Sequence, residues 1–409
     1  MSKNIQKTKQ SVFSKKRTVK RIEILDTAAC QMNEFGTTTV SINGIAQSVG
    51  LSRNALYYYF KDRMELITAC YERSVSVLAV ELEEAMQISD KATGQISFFL
   101  RQKLLSDQQE QAILSDLDSV PEPRKSEILT IYYANVAKLE LIIQQGIDTN
   151  ELKNVDPAIT AQILLGLLSW TQLWKKWHEI NENIVEATIQ TLLKGVCADR
   201  DRPFSCHINV QNLFGRQINL FDSASLGEAK RLQLLGEAAL LFNQRGIGST
   251  SLDDIADRIG ATKGSIYHYF KDKQSLVDAC YENSFEQYEL IAKTAQEIKG
   301  PGAHRFLTIL HLNCQAQALP TPPLIVQAGI LNLSKDYIER SLKLAKIVDT
   351  IKIDALNDGS CRADLTTLQL TAGLIFWIPK WIKDKPEIDG LQLADAICQI
   401  TSGGIVNTN

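Results

Sequence analysis

Apolar residues recur along most of this chain at three- and four-residue steps, the spacing that places them on one face of an α-helix. The first amphipathic helix is predicted by Leu25, Ala28, Ala29, Met32 and Phe35 and ends at Gly36. A second, shorter helix is expected to start after Ser41 as its N-cap and to end at Gly50. A third short helix begins at Ser52. A helix, a turn with glycine and a short capped helix follow one another at the spacing of a helix-turn-helix unit. The pattern as a whole predicts an all-α fold.

The same pattern occurs twice. Residues 21–72 align without a gap with residues 231–282 at a constant offset of 210, and 20 of these 52 positions are identical. In the second copy, Ser251 and Asp254 are expected to form a capping box. A weaker echo at an offset of 207 relates residues 166–177 to residues 373–384, with a Trp-x-x-x-Trp pair in each. This period far exceeds the roughly 20 to 50 residues of solenoid repeats, so it indicates a fusion of two similar domain pairs.

The outward face of each third helix carries the candidate binding residues. Leu56 and Phe60 fall on the opposite side and are expected to pack on the preceding helices, as are Tyr59, Tyr269 and Phe270. A lone exposed Tyr is an ordinary surface residue, but an outward face of basic and aromatic residues in both copies favours DNA. The outward and first-turn set is Ser52, Arg53, Asn54, Tyr57, Tyr58 and Lys61 in the first copy and Thr262, Lys263, Gly264, Tyr267, His268 and Lys271 in the second.

These residues resemble the tetracycline-repressor-like (TetR-type) regulators. The motif I-A-x-x-x-G-[VL]-[ST]-[KR]-G-x-[IL]-Y-x-[HY]-F-x-[DS]-K-x-x-L resembles both Ile45–Arg63 and IADRIGATKGSIYHYFKDK at Ile255–Lys273, with Asn54 and Gly44 as departures in the first copy. The resemblance implies, for each half, a three-helix DNA-binding head followed by a helical domain for ligand binding and dimerisation. The expected segments are a basic N-terminal arm (1–17), a first head (18–78), a first helical domain (79–197), a linker (198–225), a second head (226–288) and a second helical domain (289–409).

By the same resemblance, Arg53 and Lys263 would contact bases or phosphates, Tyr57 and Tyr267 would meet phosphates or thymine methyl groups, and Lys61 and Lys271 would hold the DNA backbone. The two heads differ in charge. Residues 1–72 carry 11 basic and 6 acidic side chains, whereas residues 226–282 carry 7 basic and 8 acidic ones. The first head is therefore expected to supply more of the non-specific DNA affinity. Its basic arm either lies along DNA or is a disordered, solubilising tail.

Composition places the chain among ordinary globular proteins. It has 409 residues, 44% hydrophobic and 22% charged, with a net charge of −3, which argues against wholesale disorder and favours two or more domains. No apolar run reaches the roughly 20 residues of a membrane span, and the lysine-rich start is followed by no apolar core, so we expect neither membrane contact nor a signal peptide, and a cytoplasmic location. The eight cysteines form no CxxC pair, so reduced thiols and no structural metal are expected.

The helical domains carry no catalytic constellation, so an enzyme is not expected. His304, His311 and Cys314 are interpreted as core residues beside one another, not as a metal site. Trp170, Trp174 and Trp177 stand on one helix face next to His178, and Trp377 and Trp381 repeat the first two. These rings either line a ligand site or pack helices, including those of a dimer interface. Residues 154–177 also resemble regulators that sense acyl-coenzyme A or fatty-acid-like effectors, so a small-molecule effector of that class is expected, with no cofactor.

Family members act as homodimers that read a palindrome in double-stranded DNA, so two halves in one chain suggest an intrachain pseudo-dimer, either monomeric or associating further. Residues 126–145 and 156–177 are expected to pack on residues 333–353 and 365–383, and Gly166 and Gly373 to permit a close helix crossing. Because the two outward faces differ, the operator should be an imperfect palindrome, and repression released by the effector is the expected outcome. The alternative is an interaction protein whose weakened second head pairs with, and titrates, other TetR-type subunits.

Overall fold

The computed structural model describes residues 2–105, 110–114, 116–175, 179–215, 223–325 and 335–407. Within these ranges the regular structure is helical, and extended pairing is limited to isolated bridges between Leu152 and Val406 and between Cys197 and Cys361. The all-α prediction is confirmed. In the same ranges, no helix is both long enough and apolar enough to cross a membrane.

The first half contains eight helices within the described ranges. They are α1 (Ser2–Phe35), α2 (Ile42–Ser48), α3 (Arg53–Tyr57), α4 (Arg63–Ile88), α5 (Ala92–Leu105), α6 (Arg124–Asp148), α7 (Pro157–Trp174) and α8 (Glu182–Lys194). Single 3-10 turns lie at Thr37–Thr39 and Leu117–Ser119. The backbone of the lysine-rich segment from Ser2 is helical and continuous with α1.

The linker contributes α9 (Val210–Phe214), and the second half repeats the order of the first. Its helices are α10 (Ser223–Arg245), α11 (Leu252–Arg258), α12 (Lys263–Tyr269), α13 (Lys273–Glu297), α14 (Gly302–Gln317), α15 (Lys335–Asn357), α16 (Leu365–Leu370), α17 (Gly373–Phe376), α18 (Ile378–Trp381) and α19 (Gly390–Gly403). The counterpart of α7 is thus divided into α16, α17 and α18. Pro379 enters at the start of α18, where its missing N–H group is tolerated but where a continuous helix would lose a hydrogen bond.

The expected helix caps are present. Ser41 accepts a hydrogen bond from the backbone N–H of Gly44 at 3.2 Å. Ser251 and Asp254 form the complete capping box in the second copy, with the Ser251 N–H donating to the Asp254 carboxylate at 2.7 Å. These local bonds satisfy amide groups that have no partner inside the helix, and they fix where each helix-turn-helix unit starts.

The two halves pack on each other where α7 crosses α17. A Cβ atom built on Gly166 would lie 2.9 Å from the carbonyl oxygen of Gly373, and one built on Gly373 would lie 2.6 Å from Cβ of Trp170. Both distances are too short for a real side chain, so the crossing requires glycine on both helices. The expected close crossing at Gly166 and Gly373 is confirmed, and the halves form an intrachain pair.

The rest of the interface differs from the expectation. Helix α7 packs on α16 and α17, and α8 packs on α16 and α19, whereas α6 packs mainly on α4, α5 and α7 of its own half. The prediction that residues 126–145 would pack on residues 333–353 is therefore wrong for the described part of those segments. A contact from α6 remains, in which the Tyr133 hydroxyl donates to Asp384 at 2.8 Å. The sequence pattern favoured the longer α6, but the last two helical segments of each half supply the pairing.

The chain end is also joined to the first half. The backbone N–H of Val196 donates to Thr401 at 2.8 Å, and that of Lys153 donates to Ile405 at 2.7 Å. Helices α8 and α19 end at Gly195 and Gly404, whose φ values of 78° and 70° favour glycine. The two helix ends therefore approach each other in equivalent conformations.

Two hydrophobic cores result from this packing. One is continuous from the first head through both helical domains, and it includes Leu25, Leu164 and Leu393. The second head has a separate core built around Phe242 and Ile266. The first head is thus packed into the body of the protein more completely than the second.

The linker docks on the second helical domain through α9. The Val210 N–H donates to Gln315 Oε1 at 3.0 Å, and Gln315 Nε2 donates to the carbonyl of Ile208 at 3.0 Å. Four apolar residues in the linker sequence, Phe204, Phe214, Ile218 and Phe221, predict that it docks on the protein in places. Phe204 and Phe214 do pack against the large core. The other two, Ile218 and Phe221, lie outside the described residues.

We expect Gly166→Ala and Gly373→Ala each to lower the free energy of unfolding by about 1 to 3 kcal/mol, because each methyl group would force the α7–α17 crossing apart. The measurement is chemical denaturation followed by circular dichroism. Gly227→Ala in α10 is the matched control, since its methyl group would meet nothing within 4 Å. Equal stability of all three variants would contradict the proposed role of the crossing.

Candidate nucleic-acid interface and internal cavity

Helix α3 presents its predicted outward residues to solvent. Ser52 caps the helix by accepting the Ala55 N–H at 3.2 Å, and Leu56 is fully buried on the opposite side. The Ser52 cap and the buried Leu56 side chain together orient α3 on the rest of the head. Exposed on its outer face are Ser52, Arg53, Asn54, Tyr57, Tyr58 and Lys61.

Helix α12 repeats this arrangement. Thr262 accepts the Ser265 N–H at 3.3 Å, and Ile266 is the buried anchor. The exposed residues are Thr262, Lys263, Gly264, Tyr267, His268 and Lys271. Of the aromatic residues expected in the core, Phe60 and Phe270 are buried and Tyr59 is half-buried, but Tyr269 is 37% exposed and so departs from that expectation.

The outward side chains of the first head hold one another in place. The guanidinium group of Arg17 lies 4.7 Å from the ring centre of Tyr58, and Arg53 donates to the Tyr57 hydroxyl at 3.3 Å. Cations over aromatic faces attract the ring quadrupole, so these pairs restrict the rotamers of the exposed rings. In the second head Gly227 stands at the position of Arg17, and an open cleft of about 640 Å³ lies between α10 and α12, bordered by Lys230 and His268.

A cavity of about 80 Å³, partly open to solvent, lies in the first helical domain. Its walls come from α4, α5, α6, α7 and the segment 110–114, and they combine apolar and polar side chains, including Leu78, Leu168, Tyr132 and Gln172. Trp377 from the second half completes one wall. The cavity therefore forms where the two halves meet.

One charged pair borders this cavity. The buried Lys103 ammonium group contacts Glu81 and donates to Gln111 Oε1 at 2.6 Å. Burial lowers the pKa of Lys103 and raises the pKa of Glu81, because removal from water disfavours both charged forms. The attraction between the two opposite charges opposes both pKa shifts. The polarity of the pair therefore depends on what else enters the cavity.

The four candidate ligand-binding tryptophans lie at or near the interface between halves. Trp170 stacks on Phe376 with ring centres 4.2 Å apart, and Trp377 Nε1 donates to Gln162 Oε1 at 3.1 Å. Trp174 and Trp381 are buried. Of these four, Trp377 borders the cavity just described. Trp177 and His178 lie outside the described residues.

The cavity wall at 110–114 is tied to the first head. Asn33, buried in α1, donates from Nδ2 to the Gln111 carbonyl at 2.8 Å and accepts the Ile113 N–H at 2.8 Å. Asn243 makes the matching bonds in the second half, to the Pro323 carbonyl and the Ile325 N–H, both at 2.8 Å. Asn33 is one of the 20 repeated identities, so the sequence marked this position without revealing its role.

Further along the same segment, Asp116 joins the two heads. Its carboxylate accepts a hydrogen bond from Thr37 of the first head and is hydrogen-bonded to Ser249 of the second. Asp118, two residues on, pairs with Arg245 at the end of α10 at 3.2 Å. Burial raises the pKa of Asp116 to about 6, and burial lowers the pKa of the nearby Lys380 to about 8. No periodicity or motif in the sequence marks Asp116 or Lys380.

His311 is buried and fully engaged within the second helical domain. Its Nδ1 is 3.0 Å from Gln315 Nε2, and its Nε2 is 2.9 Å from Asp395. Cys314 is buried one turn further along α14. Across the described ranges, no group of three or more potential metal-ligating side chains comes together.

Comparison with protein families finds the same two heads. A family model described as "bacterial regulatory proteins, tetR family" matches residues 24–70 and again residues 234–280. A second, described as "tetracyclin repressor-like, C-terminal domain", matches residues 95–196.

Curated relatives are transcriptional regulators. The HTH-type transcriptional repressor KstR2 of Mycolicibacterium smegmatis is 29% identical over 204 residues, which are 46% of this chain and 96% of that protein. The HTH-type transcriptional regulator AcrR of Shigella flexneri is 46% identical over 54 residues, 13% of this chain and 25% of that protein. KstR2 is matched almost in full by less than half of this chain, as a duplicated unit requires.

Among solved structures, the crystal structure of AibR in complex with isovaleryl coenzyme A and operator DNA is 19% identical, with a TM-score of 0.37 over 42% of this chain and 96% of that one. The family matches, the repeat and the repressor relatives agree with one another. The chain belongs to the TetR family of transcriptional regulators, as a tandem of two TetR-type units.

Proposed function

We propose that this chain is a single-chain repressor that reads one imperfect palindrome with α3 and α12 and is released by a small effector. The observation that carries the proposal is the pairing of the two halves through α7 and α17, which joins two helix-turn-helix heads in one folded chain. A relative that acts as a homodimer needs two chains for this; here the second half occupies the partner's place. The protein is then a regulator without turnover, located in the cytoplasm with its DNA.

The two heads are proposed to read different half-sites. Arg53 would contact a guanine edge or a phosphate, and its extra donors allow bidentate bonding that Lys263 cannot reproduce. Tyr57 and Tyr267 would meet phosphates or thymine methyl groups, and Lys61 and Lys271 would hold the backbone. Gly264 and His268 stand in the second head at the positions of Asn54 and Tyr58 in the first. The two heads therefore present different side chains, and the preferred operator is not a strict palindrome.

The effector is proposed to enter the cavity of the first helical domain. Leucine walls suit an acyl chain and Lys103 suits an anionic end, which supports an acyl-coenzyme A or fatty-acid-like molecule. Ligand pockets usually measure about 300 to 1,000 Å³, whereas this cavity measures about 80 Å³. Entry therefore requires that a wall move, and the segment 110–114 is the wall that no regular helix stabilises.

Movement of that segment would reach both heads. Residues 110–113 are bonded to Asn33 in α1, and the continuation through Asp116 and Asp118 contacts Thr37, Ser249 and Arg245. A shift here would change the separation of α3 and α12 and weaken binding to an operator of fixed spacing. The relatives named as repressors favour this regulator over a protein that titrates other subunits.

Site selection from a random duplex library tests the proposal. We expect the purified protein to enrich one imperfect palindrome as a particle of 45.7 kDa by light scattering. Arg53→Ala should raise the Kd for that operator by about 10- to 100-fold and relax specificity in one half-site, since a bidentate contact contributes about 1 to 3 kcal/mol.

Arg101→Ala is the matched control, because Arg101 is exposed in the first helical domain and pairs with Glu186, a surface contact of little energy. Its operator affinity should equal that of the wild type. Failure of the protein to enrich any sequence at low salt would overturn the proposed function. A mass near twice 45.7 kDa would show that two pseudo-dimers associate.

The transmission route is tested by Asn33→Ala with octanoyl-coenzyme A and free octanoate as probes. We expect the variant to bind a probe at least as tightly as the wild type but to need at least about tenfold more of it to release the operator, because the cavity wall is no longer bonded to α1. Binding is measured by calorimetry and release by fluorescence anisotropy of labelled operator.

Asn243→Ala is the control, since Asn243 makes the same two backbone bonds in the half that lacks this cavity wall. Each variant loses about 1 to 3 kcal/mol of stability from its unpaired groups, so stability alone cannot separate them. Equal loss of release in both variants would contradict the route. Binding of neither probe to the wild type would exclude this effector class.

The raised pKa of Asp116 predicts a pH dependence. The unfolded chain loses this proton near pH 3.8 and the folded chain near pH 6, so the contribution of Asp116 to stability falls as pH rises through that window. The free energy of unfolding of wild type minus that of Asp116→Asn should therefore fall by about 1 to 3 kcal/mol between about pH 4 and about pH 7. Urea unfolding at each pH measures it, and a constant difference would show that Asp116 ionises as freely in the folded protein as in the unfolded one.

A further inference from the structure

The second head carries a carboxylate beside its recognition helix. Asp253 in the first turn of α11 pairs with Lys263 in the first turn of α12, with Nζ and Oδ2 2.8 Å apart. Both side chains are exposed, on the side of the head that carries the outward face of α12. Lys263 is the residue of this head proposed to meet bases or phosphates, so its ammonium group already has an anionic partner where the DNA would bind.

The first head has no equivalent pair among its described residues. Asn43 stands at the position of Asp253, 210 residues earlier, and carries no charge. The guanidinium group of Arg53 instead lies beside the ring and hydroxyl of Tyr57. That partner is neutral and itself belongs to the outward face, so it does not compete with phosphate.

Asp253 is not needed to start its helix. The capping box of α11 is formed by Ser251 and Asp254, whose carboxylate also lies 3.8 Å from Arg245. Asp253 therefore contributes its charge to the helix start, but none of the hydrogen bonds that define the cap. Its partner in the structure is Lys263, so the geometry gives it a role at the DNA face.

We propose that Asp253 is an intramolecular competitor of DNA for Lys263 and sets the second head as the weaker reader. This rests on the proposed function. A phosphate that approaches Lys263 must displace the carboxylate or accept its repulsion, whereas Arg53 meets DNA without that competition. Operator affinity and sequence discrimination are thereby concentrated in the half-site that α3 reads.

The test compares the full-length protein with two reciprocal variants on its selected operator, at about 50 to about 200 mM salt. Asp253→Asn should lower the Kd about threefold to tenfold at the low end, and should steepen the salt dependence by about one released ion because Lys263 now contacts phosphate freely. Asn43→Asp places a carboxylate at the position equivalent to Asp253 and should raise the Kd and flatten the salt dependence by similar amounts.

Asp90→Asn is the charge-matched control. Asp90 is exposed beyond the far end of α4, a helix of 26 residues and so about 39 Å long that begins at the first head. Asp90→Asn changes net charge as Asp253→Asn does, but Asp90 lies at the end of α4 remote from the first head and is not part of the second head, so the Kd should stay within about twofold of the wild type. Circular dichroism spectra and melting temperatures establish that all variants fold.

An unchanged Kd and salt slope in Asp253→Asn would overturn the inference while leaving the proposed function intact. An equal change in Asp90→Asn would overturn it too, since bulk charge would then explain the effect. Absence of operator binding by the wild type and every variant would overturn the proposed function and this inference together.

Discussion

The arrangement of this protein depends on one close contact between the backbones of two helices, the crossing of α7 and α17 at Gly166 and Gly373. Two helices come this close only where neither carries a Cβ atom, and the crossing is what lets Trp170 stack on Phe376 and Trp377 reach Gln162. From it follows a hydrophobic core that is continuous across both helical domains. Since interiors are closely packed and resist deformation, the two helical domains and the first head form one packed unit, on which the second head sits with its own core. The positions of both heads, and the wall that Trp377 adds to the cavity, are consequences of that contact.

Local features of the sequence were sufficient for most of the heads. The repeat, the helix starts at Ser41 and Ser251 and the exposure of all twelve outward residues follow from short-range periodicity and capping, which depend on neighbours a few positions apart. Contacts between distant segments were not predictable in this way. The use of α8 in place of α6 in the interface is decided by long-range packing, which the periodicity of a single helix does not specify. Asp116 acquires its role from two turns, at Thr37 and Ser249, that are far apart in the chain. The pair between Lys263 and Asp253 involves two ordinary surface charges that the sequence gives no reason to connect.

Duplication within one chain removes a restriction that a homodimer obeys. In a homodimer each substitution appears in both heads, so a residue that weakens one weakens the other. Here the copies have diverged. The first head shares the main core, has Arg17 over Tyr58 and is bonded to the cavity wall through Asn33. The second has its own core, an open cleft beside α12 and three acidic residues in α11. These differences support the proposal that the first half senses the effector and supplies the stronger DNA contact.

A single cavity can still control both heads, because the segment that follows its wall at 110–114 and includes Asp116 and Asp118 contacts both heads. The bonds of the segment 110–113 to α1 and those of Asp116 and Asp118 to Thr37, Ser249 and Arg245 are few, and each contributes on the order of 1 kcal/mol. Allosteric coupling typically amounts to about 1 to 3 kcal/mol, the strength of about one to three such bonds. A ligand that enlarges the cavity and breaks that many of them would therefore loosen both heads together by a typical coupling energy. A more extensive junction would have held the heads regardless of the ligand, and a weaker one would have left their spacing undefined.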